Sequence, residues 1–256
     1  MCEIFGASLK YKTEINRYLK EFFSHSNHHP HGWGLAFMDH TDTMIEKEPL
    51  QASKSHYLKS RLTVPIVVRT ALAHIRYATV GNVEYCNCHP YSMKDNSNRR
   101  WTMVHNGTIF EFDPLSKFYQ FQTGNTDSER ILYYIIEQIN KKEESGTKLT
   151  FRERFELLDS IFIELSKGNK VNVLLYDGEY LYVHTNYKES LFYLEKEEGI
   201  LFSTKPLSQE SWKPVTFTTL LAFQDGKQIL SGTNHKNEFI ESEENLRYLY
   251  QIFSNL

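Results

Sequence analysis

The chain has 256 residues, 40% hydrophobic and 24% charged, with a formal net charge of −3. This length carries a substantial core, and so even a charge balance leaves no electrostatic footprint for nucleic acid. Three cysteines, Cys2, Cys86 and Cys88, make no disulfide framework, and no apolar run is long enough to cross a membrane.

In chain order, Cys2–Gly6 reads as a strand starting almost at the first residue. The flanking MCEIFGASLKYK has no basic region followed by an apolar stretch, so no signal peptide is expected and the cytoplasm is the expected location. Thr13 is placed to cap a helix whose apolar face carries Ile15, Tyr18, Leu19, Phe22 and Phe23. Gly34–Met38, Val67–Tyr77 and Trp101–His105 read as strands. Thr126-Asp127-Ser128-Glu129 has the capping-box pattern of a helix start, and Ile131, Leu132, Ile135, Ile136 and Ile139 form the stripe behind it. After a polar loop at residues 141–147, Phe151, Phe155, Leu158, Ile161, Phe162 and Leu165 recur at helical spacing. Two hairpins are predicted to turn at Asp177-Gly178 and Asp225-Gly226, because Asp-Gly supplies the positive φ a tight turn needs. Leu191–Leu194 and Ile200–Ser203 form another strand pair. No linker, repeat or low-complexity tract divides the chain, so one domain over residues 1–256 is expected. Many hairpins with few amphipathic helices point to an α+β layered domain, stacked antiparallel sheets covered by helices.

The chemistry begins at Cys2. Its small side chain favours removal of Met1, which leaves a thiol and a free α-amine on one residue. An α-amine has a pKa of about 7.7–8, so it can take the thiol's proton near neutrality and make nucleophile and base from one residue. The plain alternative is a cysteine acting as a small buried hydrophobe.

Downstream come Gly32-Trp33-Gly34, Ala73-His74-Ile75-Arg76-Tyr77-Ala78-Thr79, His89-Pro90-Tyr91, His105-Asn106-Gly107 and Thr126-Asp127-Ser128-Glu129, in that order. Behind an N-terminal Met-Cys, this series resembles the class II glutamine amidotransferases, most of all their stand-alone, YafJ-type branch without an attached synthase domain. The resemblance covers the whole chain, including Phe202-Ser203-Thr204-Lys205-Pro206-Leu207, and is densest from Cys2 to Glu129. It implies a four-layer αββα sandwich of the N-terminal-nucleophile hydrolase type. The implied activity is cleavage of the γ-amide of glutamine or a γ-glutamyl compound through a thioester on Cys2, with no metal and no organic cofactor.

Residue by residue, the resemblance gives Arg76 the substrate α-carboxylate, which a guanidinium fork matches; on its own Arg76 also reads as a structural ion pair. Asn106 and Gly107 take the oxyanion hole, as an amide N–H and a closely approached backbone N–H can, although Asn-Gly is equally a turn dipeptide. Asp127 takes the α-ammonium, or else merely complements a helix dipole. Tyr77 and Thr79 line the same pocket.

The implied small-molecule substrate leaves several readings open: a hydrolase of larger γ-glutamyl amides, a glutaminase subunit feeding an ammonia-accepting protein partner, and a non-catalytic binding or regulatory protein on the same fold. A homo-oligomer is compatible with each. Two segments depart from the family pattern. His25-Ser26-Asn27-His28-His29-Pro30-His31 is histidine-rich, with His31 where the family carries Asp, and it raises a metal-binding reading although the spacing fits no standard zinc motif. Cys86-Asn87-Cys88-His89 places Cys88 where the family has Thr, and no second cysteine pair completes a metal site.

Overall fold

Side chains on a strand alternate between its two faces, and this alternation distributes the apolar residues of the chain among three cores. The computed structural model describes residues 2–39, 42–144 and 146–253. In chain order its strands are β1 (Glu3–Glu14), β2 (Trp33–Asp39), β3 (Asp42–Glu48), β4 (Val67–Ile75), β5 (Tyr91–Lys94), β6 (Arg100–Thr108) and β7 (Lys170–Tyr176). They continue with β8 (Leu181–His184), β9 (Phe192–Lys196), β10 (Gly199–Ser203), β11 (Lys213–Pro214), β12 (Leu221–Gln224) and β13 (Lys227–Ser231). The helices are α1 (Asn16–Ser24), α2 (His56–Arg61), α3 (Asp127–Glu143), α4 (Phe151–Leu165) and α5 (Glu243–Phe253). One seven-stranded sheet has the order β11-β9-β10-β1-β4-β2-β3, and a six-stranded sheet has the order β13-β12-β8-β7-β6-β5.

Phe5, Ala7, Leu35 and Ala73 of the first sheet pack under Leu19, Phe22 and Phe23 of α1 and Leu58 of α2. Their strand neighbours Ile4, Ala36 and Leu72 point the other way and meet Val104, Leu174, Val183 and Phe223 of the second sheet. Met103, Val173 and Leu175 lie on the far face of that sheet against Ile131 and Ile135 of α3 and Phe155 and Phe162 of α4. Helices, sheet, sheet, helices: the order is αββα, as the resemblance implies.

Several local expectations change. Thr13 does not cap α1; it pairs with Val68 because β1 runs on to Glu14. The N-cap of α1 is Ile15, which has no side-chain cap. Thr126 does cap α3, accepting from the Glu129 N–H at 3.2 Å. The reciprocal half of that box is missing, because the Glu129 carboxylate turns back to the N–H groups of Thr123 and Gly124. A complete capping box stands instead at Thr150 and Glu153, at the start of α4. At the later hairpin Asp225 and Gly226 both take positive φ, 47° and 75°, as a primed turn requires. At the earlier one Gly178 alone does so, and the Asp177 carboxylate accepts from the N–H groups of Glu179 and Tyr180. Asn106-Gly107 is not a turn: both residues lie inside β6, opposite Asn172 and Val171 of β7.

Burial pushes His74 and His89 well below the ordinary histidine pKa, lowers His105 and takes His184 to about 3. Their folded pKa values are depressed, so their contribution to stability is full above the unfolded value of about 6.5 and declines as pH falls toward the folded values. His25, raised by its hydrogen bond to Glu3, works in the opposite sense for one group. Urea unfolding is therefore expected to show stability falling between pH 7 and pH 5, approaching about 1.4 kcal/mol per pH unit for each uncompensated buried histidine. A flat profile over that interval would contradict the buried, neutral assignment.

Candidate active site

Cys2 stands immediately before β1, half-buried. Because β1 pairs with β4 in the register Glu3↔Ile75, the thiol reaches the backbone just past the end of β4. Its Sγ donates to the Tyr77 carbonyl and accepts from the Tyr77 N–H, both at 3.3 Å. Burial pushes the thiol pKa up, while the Tyr77 backbone and Arg76 pull it down and Asp127 adds to the rise. Arg76 and Asp127 thus both lie within electrostatic reach of the sulfur. The expected removal of Met1 concerns a residue outside those described.

Arg76 is buried. Its Nη1 donates to the Asn82 carbonyl at 2.7 Å, and its Nη2 to the carbonyls of Val80 at 2.9 Å and Gly81 at 2.7 Å. The fork expected to hold a carboxylate therefore holds the backbone of the 80–82 loop. Tyr77 faces Cys2 through its backbone, and its ring lies 5.2 Å from that of His31. Thr79 follows in the same loop, half-buried, with no side-chain hydrogen bond among the described residues.

The second sheet supplies the opposite wall. Asn106 shares the inner face of β6 with Val104, which puts its amide on the side facing the first sheet. The amide is buried and makes no hydrogen bond among the described residues. Gly107 must be glycine: a Cβ there would fall 1.9 Å from the Lys170 carbonyl oxygen and 2.4 Å from Nε2 of His105.

Asp127 is the first residue of α3 and is buried. Its Oδ2 accepts from the Ile109 N–H at 2.9 Å and its Oδ1 from the Ser128 N–H at 2.8 Å. It has no cationic partner among the described residues, a costly state for a buried carboxylate that a bound ammonium group relieves.

Sequence reasoning missed the side chains that fix these walls relative to each other. His105 lies on the outer face of β6, where Nε2 meets the Lys170 carbonyl at 3.3 Å and Nδ1 meets the Ser128 hydroxyl at 2.9 Å. The carbonyl can only accept, so Nε2 donates to it, and the one Ser128 hydroxyl proton is shared between Nδ1 and the Asp127 Oδ1 that lies 3.3 Å away. The neighbour of Asn106 is thereby tied to the neighbour of Asp127. The rings of His74 and His89 pack with centroids 4.1 Å apart and planes tilted by 33°, and their nitrogens find no hydrogen-bond partner among the described residues. Lys170 is buried on the inner face of β7, its Nζ 4.0 Å from the centre of the Tyr187 ring. Burial takes its pKa down to about 8, against the opposing pull of Glu241 and Cys2. The C-terminal segment returns to the same end of the sandwich: Phe110, just past β6, contacts Phe239 at 5.7 Å and Tyr248 of α5 at 5.5 Å.

The histidine-rich stretch gathers around Glu3. His25 Nδ1 lies 2.8 Å from Glu3 Oε2, Lys205 Nζ 2.6 Å and His29 Nε2 3.7 Å from Oε1. Although burial opposes it, hydrogen bonds from His25 and Lys205 hold this carboxyl below the usual range. His31 accepts the Ala78 N–H at 2.9 Å on Nδ1, so its neutral ring carries the proton on Nε2. Cys88 is buried with its thiol on the carbonyls of Glu84 and Glu48, and burial raises its pKa to about 11. Among the described residues, no three histidine, cysteine or acidic side chains are grouped as metal ligands.

A family model for class-II glutamine amidotransferases matches residues 1–198. The chain belongs to that family. A putative glutamine amidotransferase of Escherichia coli, YafJ, is 29% identical over 191 residues, covering 73% of this chain and 74% of the relative. An uncharacterized protein of Methanocaldococcus jannaschii is 28% identical over 258 residues, covering 90% of this chain and 71% of the relative. Among solved structures, a predicted glutamine amidotransferase from Pseudomonas aeruginosa superposes with a TM-score of 0.67 at 21% identity, covering 90% of this chain and all (100%) of that one. The glutamine phosphoribosylpyrophosphate amidotransferase of Bacillus subtilis does so with a TM-score of 0.60 at 14% identity, covering 90% and 48%. These structural likenesses extend the αββα architecture of the amidotransferase family to this chain. No helix among the described residues is long and apolar enough to cross a membrane.

Two substitutions separate positioning from contact in this amidotransferase. Gly107→Ala is expected to force β6 from β7 and to cut ammonia release from glutamine by about a hundredfold or more, since small displacements of this kind are costly. Ser128→Ala, which removes the buried hydroxyl's hydrogen bonds to His105 and Asp127, each worth about 1 kcal/mol, is expected to lower Tm by a few degrees and kcat/KM by no more than about tenfold. Steady-state kinetics and thermal unfolding check both, and full activity in Gly107→Ala would contradict the close approach of β6 to β7.

Proposed function

We propose that this chain is an N-terminal cysteine amidohydrolase that cleaves the γ-amide of glutamine or a γ-glutamyl compound through a thioester on Cys2. The observation that carries the reading is the thiol's position on the Tyr77 backbone, with Arg76 and Asp127 both in electrostatic reach. In this scheme Asp127 receives the substrate α-ammonium. The α-carboxylate takes up Arg76 by exchange with the loop carbonyls it now holds.

The Cys2 α-amine, freed by loss of Met1, accepts the thiol proton as Sγ attacks the γ-carbonyl carbon. The oxyanion takes the Asn106 amide N–H and the Gly107 N–H, donors that need no reorganisation. The tetrahedral intermediate collapses as the α-ammonium protonates the leaving nitrogen, so ammonia or an amine departs and the γ-glutamyl thioester remains. Water then attacks the thioester, giving its proton to the α-amine, and the carboxylic acid product leaves as the proton returns to sulfur. Burial of the thiol disfavours a free thiolate, which supports transfer coupled to the amine over a standing thiolate.

For the leaving group, Phe110, Phe239 and Tyr248 supply aromatic surface at the same end, with Glu241 near Lys170. Such a wall favours an amine larger than ammonia over delivery of ammonia to a partner synthase.

Intact-mass spectrometry with an electrophilic glutamine analogue tests the core of the scheme. The expected result is a chain lacking Met1 that carries one adduct on Cys2. Retained Met1 with full activity would overturn it and favour a different nucleophile, whereas no labelling and no turnover would favour a non-catalytic role. Cys2→Ala is expected to lose about 10⁴-fold or more in kcat, and Asp127→Asn about a hundredfold in kcat/KM. On the acid side kcat/KM is expected to fall as pH drops through about 7.7–8, where the α-amine takes a proton and ceases to be a base. A γ-glutamyl anilide is expected to be turned over with a higher kcat/KM than glutamine by the isolated chain; a preference for glutamine that appears only with a co-purifying partner would support the ammonia-delivering alternative.

A further inference from the structure

At the end of the sandwich away from Cys2, a cavity of about 700 Å³ opens between the two sheets, with Ser8, Thr70 and Tyr176 on its inner walls. Its lining is rich in charge, and part of that charge is already matched. Arg99 lies 3.5 Å from Asp177 and 3.9 Å from Glu179, and Arg69 lies 3.6 Å from Asp225. Of the remaining acids, Glu143 accepts the Leu149 N–H at 2.9 Å and Asp42 lines the cavity at the start of β3.

Three lining cations have only neutral partners among the described residues. Lys94 Nζ donates to Asn98 Oδ1 at 2.8 Å, Lys148 Nζ to the Ser97 carbonyl at 3.4 Å, and Arg100 Nη1 to Ser92 Oγ at 3.5 Å. The Arg100 Nε is shut off from solvent and has no partner among the described residues. All three converge on the turn between β5 and β6. Lys94 and Arg100 stand directly opposite each other across that pair, although like charges in facing positions destabilise a sheet. A local rule broken without structural compensation is the mark of a functional position. An anion seated between the two strands supplies that compensation. It would give the buried Nε an acceptor, turn the repulsion into attraction, and draw the flexible Lys148 ammonium onto the same charge.

We propose that this cavity is a binding site for a small phosphate-bearing anion, held by Lys94, Arg100 and Lys148. Three donors arriving from two strands and the loop before α4 suit a tetrahedral group with several acceptor oxygens better than a planar carboxylate with two. The site lies far along β6 and β7 from Asn106 and Asn172, so it is separate from the amide-cleaving end and does not depend on the chemistry assigned there.

Titration calorimetry of the full chain with inorganic pyrophosphate tests it, at low ionic strength and with chloride added to matched ionic strength as the control. One site per chain is expected, and Lys94→Gln and Arg100→Gln are each expected to weaken it at least about tenfold, the loss of one charge-assisted hydrogen bond. Without pyrophosphate, Lys94→Gln is expected to raise Tm because the facing repulsion is gone. With it, the wild type gains Tm by linkage and the variant does not. A single cooperative thermal transition and a wild-type far-UV circular dichroism spectrum serve as the folding control for both variants. No binding of pyrophosphate, or an affinity reduced less than tenfold in either folded variant, overturns the proposal.

Discussion

The pairing of β1 with β4 is the constraint on which the site rests. It brings the residue before β1 to the backbone just past β4, and Tyr77 there holds the Cys2 sulfur through both its N–H and its carbonyl. The two-residue period of the strands has a further effect. The side chains of β1 and β4 that face the second sheet, Ile4 and Leu72, seal the middle of the sandwich with Val104 and Leu174. Polar groups on the same inner rows are therefore confined to the two ends, where the apolar seal stops. Cys2, Arg76 and Asn106 occupy one end; Arg100 and Tyr176 occupy the other.

Building a polar site at the end of a dry interface has a cost in stability. His74 and His89 are buried with ring nitrogens unpaired among the described residues, and Asp127 is buried without a described cation, whereas Arg76 places three of its N–H donors on the carbonyls of its own loop. Buried polar networks of this kind are strong when complete and expensive when they are not. The His105–Ser128 link offsets part of that cost by joining β6 to the start of α3, so that the walls carrying Asn106 and Asp127 keep a common frame. Arg76 has an additional consequence. A ligand that takes over the donors now on the carbonyls of Val80, Gly81 and Asn82 would release the 80–82 loop, so ligand contact with Arg76 and the position of that loop are coupled.

The matched family region ends at residue 198, yet the architecture depends on strands beyond that point. β10 is the neighbour of β1 in the first sheet, and β12 and β13 complete the edge of the second. Phe239 and Tyr248, later still in the chain, reach Phe110 at the end of the sandwich that carries Asn106. Every residue proposed for the chemistry lies within the matched region, while the later segment closes the sheets.

By itself the sequence determined whatever depends on neighbours a few residues apart. Helical stripes such as Ile131–Ile139, the Asp225-Gly226 turn and the ordered motifs behind Cys2 are local patterns, and periodicity or dihedral preference suffices to read them. The αββα layering was legible only because those motifs resemble a known family. Tertiary structure decided what depends on residues far apart in the chain. Asn106-Gly107 reads locally as a turn, but pairing with Asn172 and Val171 draws it into a strand. Thr13 reads as a cap until Val68 extends β1 past it. The four residues of β5 and the six of α2 are too few to show a period, whereas Leu246, Leu249 and Phe253 give α5 a helical spacing that the sequence does carry. Nothing near Arg76 in sequence indicates that its guanidinium is occupied by carbonyls, and nothing near His105 points to Ser128. Such contacts are selected by the burial of whole faces against one another, an energy summed over the fold and invisible in any short window of residues.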